Sequence, residues 1–128
     1  MPTHRIIVID DDLDIREAVS DSLVDEGYDV DAFGSGTVAL AHLRERFDAS
    51  VVVILLDWMM PGMNGGEVFE ELRKDTKLSQ IPVVLLTADT QAREKAEALG
   101  IPRYLRKPLR LEDLFRTVAQ FADRAGAP

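Results

Sequence analysis

An open α/β fold, a five-stranded parallel sheet with helices on both faces, is the fold class that this 128-residue sequence predicts. Two observations predict it. Apolar, mostly β-branched runs alternate strictly with amphipathic stretches, five of each. The most apolar run, Val51-Val52-Val53-Ile54-Leu55-Leu56, has no polar interruption, as a strand buried on both faces requires. It stops at a carboxylate, Asp57, and Pro61 and Gly62 follow as a turn.

Ile6-Ile7-Val8-Ile9 reads as the first strand, ended by Asp10-Asp11-Asp12. The first helix places Ile15, Ala18, Val19, Ser22 and Leu23 on one face, and Gly27 stops it. Tyr28 to Phe33 alternates polar and apolar, the pattern of an edge strand. Ser35 caps a second helix that buries Ala39, Leu40, Leu43 and Phe47. The central strand to Asp57 is third. A third helix turns Val68, Phe69 and Leu72 inward. Pro82-Val83-Val84-Leu85-Leu86 is the fourth strand, ended by Thr87-Ala88-Asp89. The fourth helix, with Ala92, Ala96 and Leu99 inward and Gly100 at its end, has a thin apolar face and is expected to pack least firmly. Arg103 to Arg106 is a short fifth strand before Lys107-Pro108. The last helix, from about Leu111, presents Leu114, Phe115, Val118, Phe121 and Ala122 to the sheet. The flavodoxin-like (βα)5 order 2-1-3-4-5 is the doubly wound arrangement that suits this alternation.

One domain is expected over 1–128, with its core at about 5–123 and a short tail at 124–128. The absence of cysteine excludes disulfides, thiolate metal sites and thiol catalysis. A net charge of −8 and a pI near 4.7 argue against direct nucleic-acid or anionic-membrane binding. No apolar run approaches the ~18 residues of a membrane span, and the first residues lack the apolar core of a signal peptide. The expectation is a soluble, cytoplasmic protein.

In a parallel sheet every strand ends on the same edge. Strand one brings Asp10, Asp11 and Asp12 there, strand three Asp57, strand four Thr87 and strand five Lys107. Neighbouring strands lie ~4.8 Å apart, so these side chains converge. Two carboxylates about 4 Å apart repel by about 4 kcal/mol at an effective dielectric constant of about 20. One lysine cannot balance three acids. A hard divalent cation can, and all-oxygen ligands suit Mg²⁺, with Mn²⁺ as the alternative. A carboxylate nucleophile, a metal, a hydroxyl and a lysine together make an aspartyl-phosphate site.

At these residues the sequence resembles the response-regulator receiver domains of two-component signalling, the single-domain chemotaxis regulators among them. The matching pieces are Val8 to Asp12, Leu56 to Gly65, Leu86-Thr87-Ala88 and Tyr104 to Pro108. Each alone is a weak signal; four in order, each at a strand end, are specific. The resemblance spans roughly residues 5 to 123. It implies a switch that accepts a phosphoryl group on Asp57 from a histidine kinase or histidine phosphotransfer protein and then controls a downstream target. It implies Mg²⁺ held directly by Asp11, Asp57 and the Met59 main-chain carbonyl, with Asp10 acting through a metal-bound water. Thr87, Lys107 and the Ala88 main-chain N–H would hold the phosphoryl oxygens, and the Lys107-Pro108 bond would be cis. Thr87 and Tyr104 would form the switch, with output through helix four, strand five and helix five. A monomer, or a weak dimer promoted by phosphorylation, is implied; enzymatic activity is limited to the domain's own phosphotransfer and dephosphorylation.

Three positions depart from the commonest pattern: Asn64 replaces a frequent Asp, Leu109 a common Phe, and Ile101-Pro102 smaller residues. Asp12 and Asp14 read as cap and first-turn acids, His4 and His42 as solvated residues, and Met59, Met60 and Met63 as loop and core. Competing functions fit less well. An aspartyl phosphatase needs a second acid two residues after its nucleophile, where this chain has Met59. A nucleotide- or flavin-binding protein needs a phosphate loop after strand one, where Asp10-Asp11-Asp12 repels anions. A receiver-like module or phosphate sink without phospho-dependent output stays open, as does the choice between a stand-alone regulator and a receiver cut from a longer protein.

Overall fold

The computed structural model describes residues 4–126. Its elements run β1 (Arg5–Ile9), α1 (Leu13–Asp25), β2 (Asp29–Phe33), α2 (Gly36–Glu45), β3 (Val51–Asp57), α3 (Gly65–Lys74), β4 (Val83–Thr87), α4 (Ala92–Leu99), β5 (Arg103–Arg106) and α5 (Leu111–Gly126). A single 3₁₀ turn, Leu78–Gln80, precedes β4. All strand pairs are parallel and the order is β2-β1-β3-β4-β5, as the alternation predicts.

Strand alternation sorts the core into layers. Ile7, Ile9, Ile54 and Leu56 face α2 and α3, where Leu40, Leu43, Val68 and Leu72 meet them. Ile6, Val8, Val53, Leu55, Val84 and Leu86 face the other way, against Val19 and Leu23 of α1 and Leu114, Val118 and Phe121 of α5. All seven residues of β3 are buried. Each fully buried aliphatic side chain is worth about 1.5–3 kcal/mol, so β3 is the strand most costly to disturb. A smaller cluster of Leu85, Ala96 and Ile101, with Trp58 and Tyr104 packed against it, lies under α4.

The starts of α1 and α2 follow their predicted chemistry. Asp12 caps α1 by accepting the Ile15 N–H at 3.2 Å, and Ser35 caps α2 through the Val38 N–H at 3.1 Å. Asn64 and Glu67 close a reciprocal capping box on α3. The α4 helix has no side-chain cap, and its buried residues are Ala92 and Ala96, in line with its thin face.

Three expectations need correction. Phe47 does not belong to the buried face of α2: the helix ends at Glu45, and Phe47 stands 42% exposed beside Lys77. Ala18 is exposed, because the inner stripe of α1 is carried by Val19 and Leu23. Arg124 and Ala125, expected in a tail, continue α5, while the last two residues of that expected tail lie outside the described residues.

Candidate functional site

Register places the site. Ile9 pairs with Leu56, so Asp10 emerges opposite Asp57; Thr87 pairs with Arg106, so Lys107 follows one residue on. The ladders extend one step past the strand ends. The Asp10 N–H donates to the Phe33 carbonyl (3.1 Å), the Trp58 N–H to the Leu86 carbonyl (2.9 Å) and the Lys107 N–H to the Thr87 carbonyl (2.9 Å). The backbone of the site is therefore part of the sheet rather than free loop.

Asp10, Asp57 and Thr87 are buried, with exposures of 0%, 2% and 0%. Asp10, Asp11 and Asp57 each place a carboxylate oxygen within 4.8 Å of the others. The Lys107 ammonium bridges two of them, 2.8 Å from Asp10 Oδ2 and 3.2 Å from Asp57 Oδ1. The Met59 N–H reaches Asp57 Oδ1 at 3.3 Å, and the Asp12 N–H donates to Asp10 Oδ1 at 3.0 Å. Burial and then the charge of Asp10 push the Asp57 carboxyl up to about 7, against the pull of Lys107. Burial lowers the Lys107 ammonium, but its hydrogen bond to Asp10 and the charges of Asp10 and Asp57 outweigh that and leave it raised. Three converging carboxylates and one ammonium leave an excess of negative charge. A small hard cation with oxygen ligands fits that donor set.

Thr87 ends β4 beside the cluster, and its hydroxyl accepts the Asp89 N–H at 3.0 Å. Asp89 also accepts from Lys95, whose ammonium lies 5.1 Å from the centre of the Trp58 ring; that hydrogen bond, then the Gln91 N–H, holds the Asp89 carboxyl below its ordinary range. Ala88 is exposed in the loop after Thr87. Tyr104, half-buried on β5, packs with Trp58 around the Leu85–Ala96–Ile101 cluster. The Lys107-Pro108 bond is cis.

Other candidates fall outside the cluster. Asp12 is spent on capping α1, and the Met59 side chain is 65% exposed, leaving its main chain as the part near Asp57. His42 is less solvated than expected, since its ring packs at a tilt against Phe33 and lies 3.8 Å from Asp31. Sequence reading missed two contributors. Gly65 admits α3 to the site, because a Cβ there would stand 2.6 Å from the Asp57 carbonyl oxygen. Arg16 reaches back from α1 to the Asp10 carbonyl at 2.8 Å; an arginine in the first turn of a helix, where acids are favoured, was the available signal.

The family profile described as the response regulator receiver domain matches residues 6–119. The DNA-binding response regulator MtrA of Mycobacterium tuberculosis is 40% identical over 118 residues, 90% of this chain and 49% of MtrA. A CpxR homolog from Haemophilus influenzae, a transcriptional regulatory protein, is 32% identical over 126 residues, 97% of this chain and 52% of its own. The chain thus spans about half the length of these curated relatives. Among solved structures, the chemotaxis protein CheY4 of Vibrio cholerae superposes with a TM-score of 0.83 at 30% identity, covering 93% of this chain and 98% of its own.

Proposed function

The chain belongs to the response-regulator receiver family, and from that membership we propose that Asp57 is its phosphoacceptor, taking the phosphoryl group from a histidine kinase or a histidine phosphotransfer protein. Receiver identity implies such a donor and a downstream effector, and it limits catalysis to the domain's own phosphotransfer and dephosphorylation. The observation that carries the assignment is Lys107 held between Asp10 and Asp57 at the rim of the most buried strand.

In the transfer, an Asp57 carboxylate oxygen attacks phosphorus, the P–N bond to the donor histidine breaks, and the imidazole leaves with the electron pair. Carboxylates of Asp11 and Asp57 and the Met59 carbonyl would hold Mg²⁺ directly, with Asp10 acting through a metal-bound water, and the ion when bound supplies positive charge to the transferring phosphoryl oxygens. Lys107 is placed to exchange its carboxylate partners for a phosphoryl oxygen, with the Thr87 hydroxyl and the Ala88 N–H as further donors. Output through α4, β5 and α5, with Thr87 and Tyr104 as the switch, is the reading that the packing of Tyr104 supports. Action in the cytoplasm, where a histidine kinase would present its phosphoryl group, is part of this reading, and none of the described helices is long and apolar enough to cross a membrane. The test is incubation with acetyl phosphate and Mg²⁺. One phosphoryl group should appear by intact mass and map to Asp57, and Asp57→Ala should take none. Equal labelling of that variant overturns the assignment.

A further inference from the structure

We propose that Arg16 is a positioning residue of the cation site: it sets the plane of the peptide joining Asp10 to Asp11 and so aims the Asp11 carboxylate. The inference rests on the receiver reading of the acidic cluster given above.

Asp10 and Asp11 share one planar peptide, whose carbonyl belongs to Asp10 and whose N–H belongs to Asp11. Arg16 Nη1 donates to that carbonyl oxygen at 2.8 Å. Holding the oxygen fixes the plane and with it the N–Cα bond of Asp11, the axis about which φ of that residue directs its side chain. Asp10 has other restraints: its N–H is tied to Phe33, and its carboxylate takes the Asp12 N–H and Lys107. Asp11 is exposed, so its placement depends on the backbone that carries it.

Two further features point to Arg16. First, it lies in the opening turn of α1, where the helix dipole disfavours a cation. A helix former alone gives no reason for arginine there, whereas a charge-assisted bond to a carbonyl beside three carboxylates does. Second, Gly34, in the loop between β2 and α2, makes room for it. A Cβ at position 34 would lie 2.8 Å from Arg16 Nη1 and 3.3 Å from its Cζ. Gly34 is not among the glycines with positive φ, so its backbone would accept alanine and the crowding would fall on the guanidinium.

The test uses the full chain and three variants, Arg16→Gln, Arg16→Lys and Gly34→Ala. Mg²⁺ binding is followed by amide shifts of Asp11 and Asp12, and phosphoryl uptake from acetyl phosphate is measured across Mg²⁺ concentrations. Partners that orient metal ligands typically change affinity by 10-fold or more, so Arg16→Gln should raise the Mg²⁺ half-saturation about tenfold, with a smaller fall in the plateau rate. Arg16→Lys should recover most of the affinity, since one donor to the carbonyl suffices. Gly34→Ala should weaken Mg²⁺ binding with the arginine still present, which separates position from charge. Parent-like half-saturation in Arg16→Gln or Gly34→Ala overturns the proposal. So does tighter Mg²⁺ binding by Arg16→Gln, the result expected if only its charge mattered. Failure of the parent to label on Asp57 overturns the phosphoacceptor reading instead, and the Mg²⁺ titration still decides the role of Arg16.

Discussion

Lys107 is bound more closely to Asp10 than to Asp57, with Nζ–O distances of 2.8 Å and 3.2 Å. The lysine therefore partly neutralises the acids that would hold a cation, and it competes with that cation. At a pH well above 7, where Asp57 is ionised, Lys107→Ala should bind Mg²⁺ more tightly than the parent, because no ammonium then competes with the ion for the carboxylates. The same variant should switch poorly, since its phosphoryl group lacks an ion pair. Mg²⁺ titration and amide shifts with beryllofluoride, a stand-in for the phosphoryl group, measure the two effects. Weakened Mg²⁺ binding would contradict this account of Lys107.

Adjacent aspartates should behave differently. Asp12 caps α1, so Asp12→Ala should cost about 1 kcal/mol of stability and leave Mg²⁺ affinity close to the parent value. Asp11→Ala removes a member of the carboxylate cluster and should weaken Mg²⁺ binding and slow phosphorylation. Urea unfolding and Mg²⁺ titration of both variants check this, and equal losses of affinity would show that the roles are misassigned.

Asp57 links stability to pH. Its carboxyl titrates near 3.8 when unfolded and at about 7 in the folded chain, so the fold binds that proton more tightly. The contribution is fully present below pH 3.8 and is lost as pH rises through about 7, a change of the order of 4 kcal/mol at about 1.4 kcal/mol per pK unit. With Mg²⁺ chelated, the parent should lose stability relative to Asp57→Asn across that window and stay constant relative to it at higher pH. A pH-independent difference between the two unfolding curves would rule this out.

Gly65 tests the seat of α3. A Cβ there meets main-chain atoms, the Asp57 carbonyl oxygen at 2.6 Å and the Trp58 Cα at 2.9 Å, which cannot swing aside. Gly65→Ala should destabilise the fold by about 1–3 kcal/mol. Thermal unfolding that matches the parent would show that the α3 start is looser than its geometry implies.

Output should travel through Thr87. Beryllofluoride with Mg²⁺ should shift amides across Ala92–Leu99 and Arg103–Arg106, because Trp58 and Tyr104 touch the same small cluster under α4. A Thr87→Ala variant should confine the shifts to the loops around Asp10 and Asp57. Such confinement in the parent would instead indicate a phosphate sink.

How much of this was legible depended on the range of the interaction. The strand ends were readable because an aliphatic run that stops at Asp57 or Thr87 has one place to go in a parallel sheet. Caps at Asp12 and Ser35 were readable because their partners lie three residues away. Phe47 was misjudged because helical phase predicts a face and says nothing of where the helix stops. Arg16 escaped notice because its partner is a main-chain carbonyl that it meets by curling back over the helix start. The Asp89–Lys95–Trp58 contacts were hidden for a similar reason: they join a loop, a helix and a strand end whose approach is decided by the packing of α4.

The contrast between α3 and α4 gives the domain an uneven mechanical compliance. The α3 helix starts in a reciprocal capping box, with Gly65 seated where a Cβ would collide with the Asp57 carbonyl. Its neighbour α4, reached by the Arg73 hydrogen bond to the Leu99 carbonyl, is eight residues long, starts without a side-chain cap and buries two alanines. A load applied at Asp57 should therefore meet more resistance from α3 than from α4. Direction would then belong to the scaffold before any partner arrives: α3 is expected to act as the wall, α4 as the hinge, and a small chemical push at the centre to move the hinge.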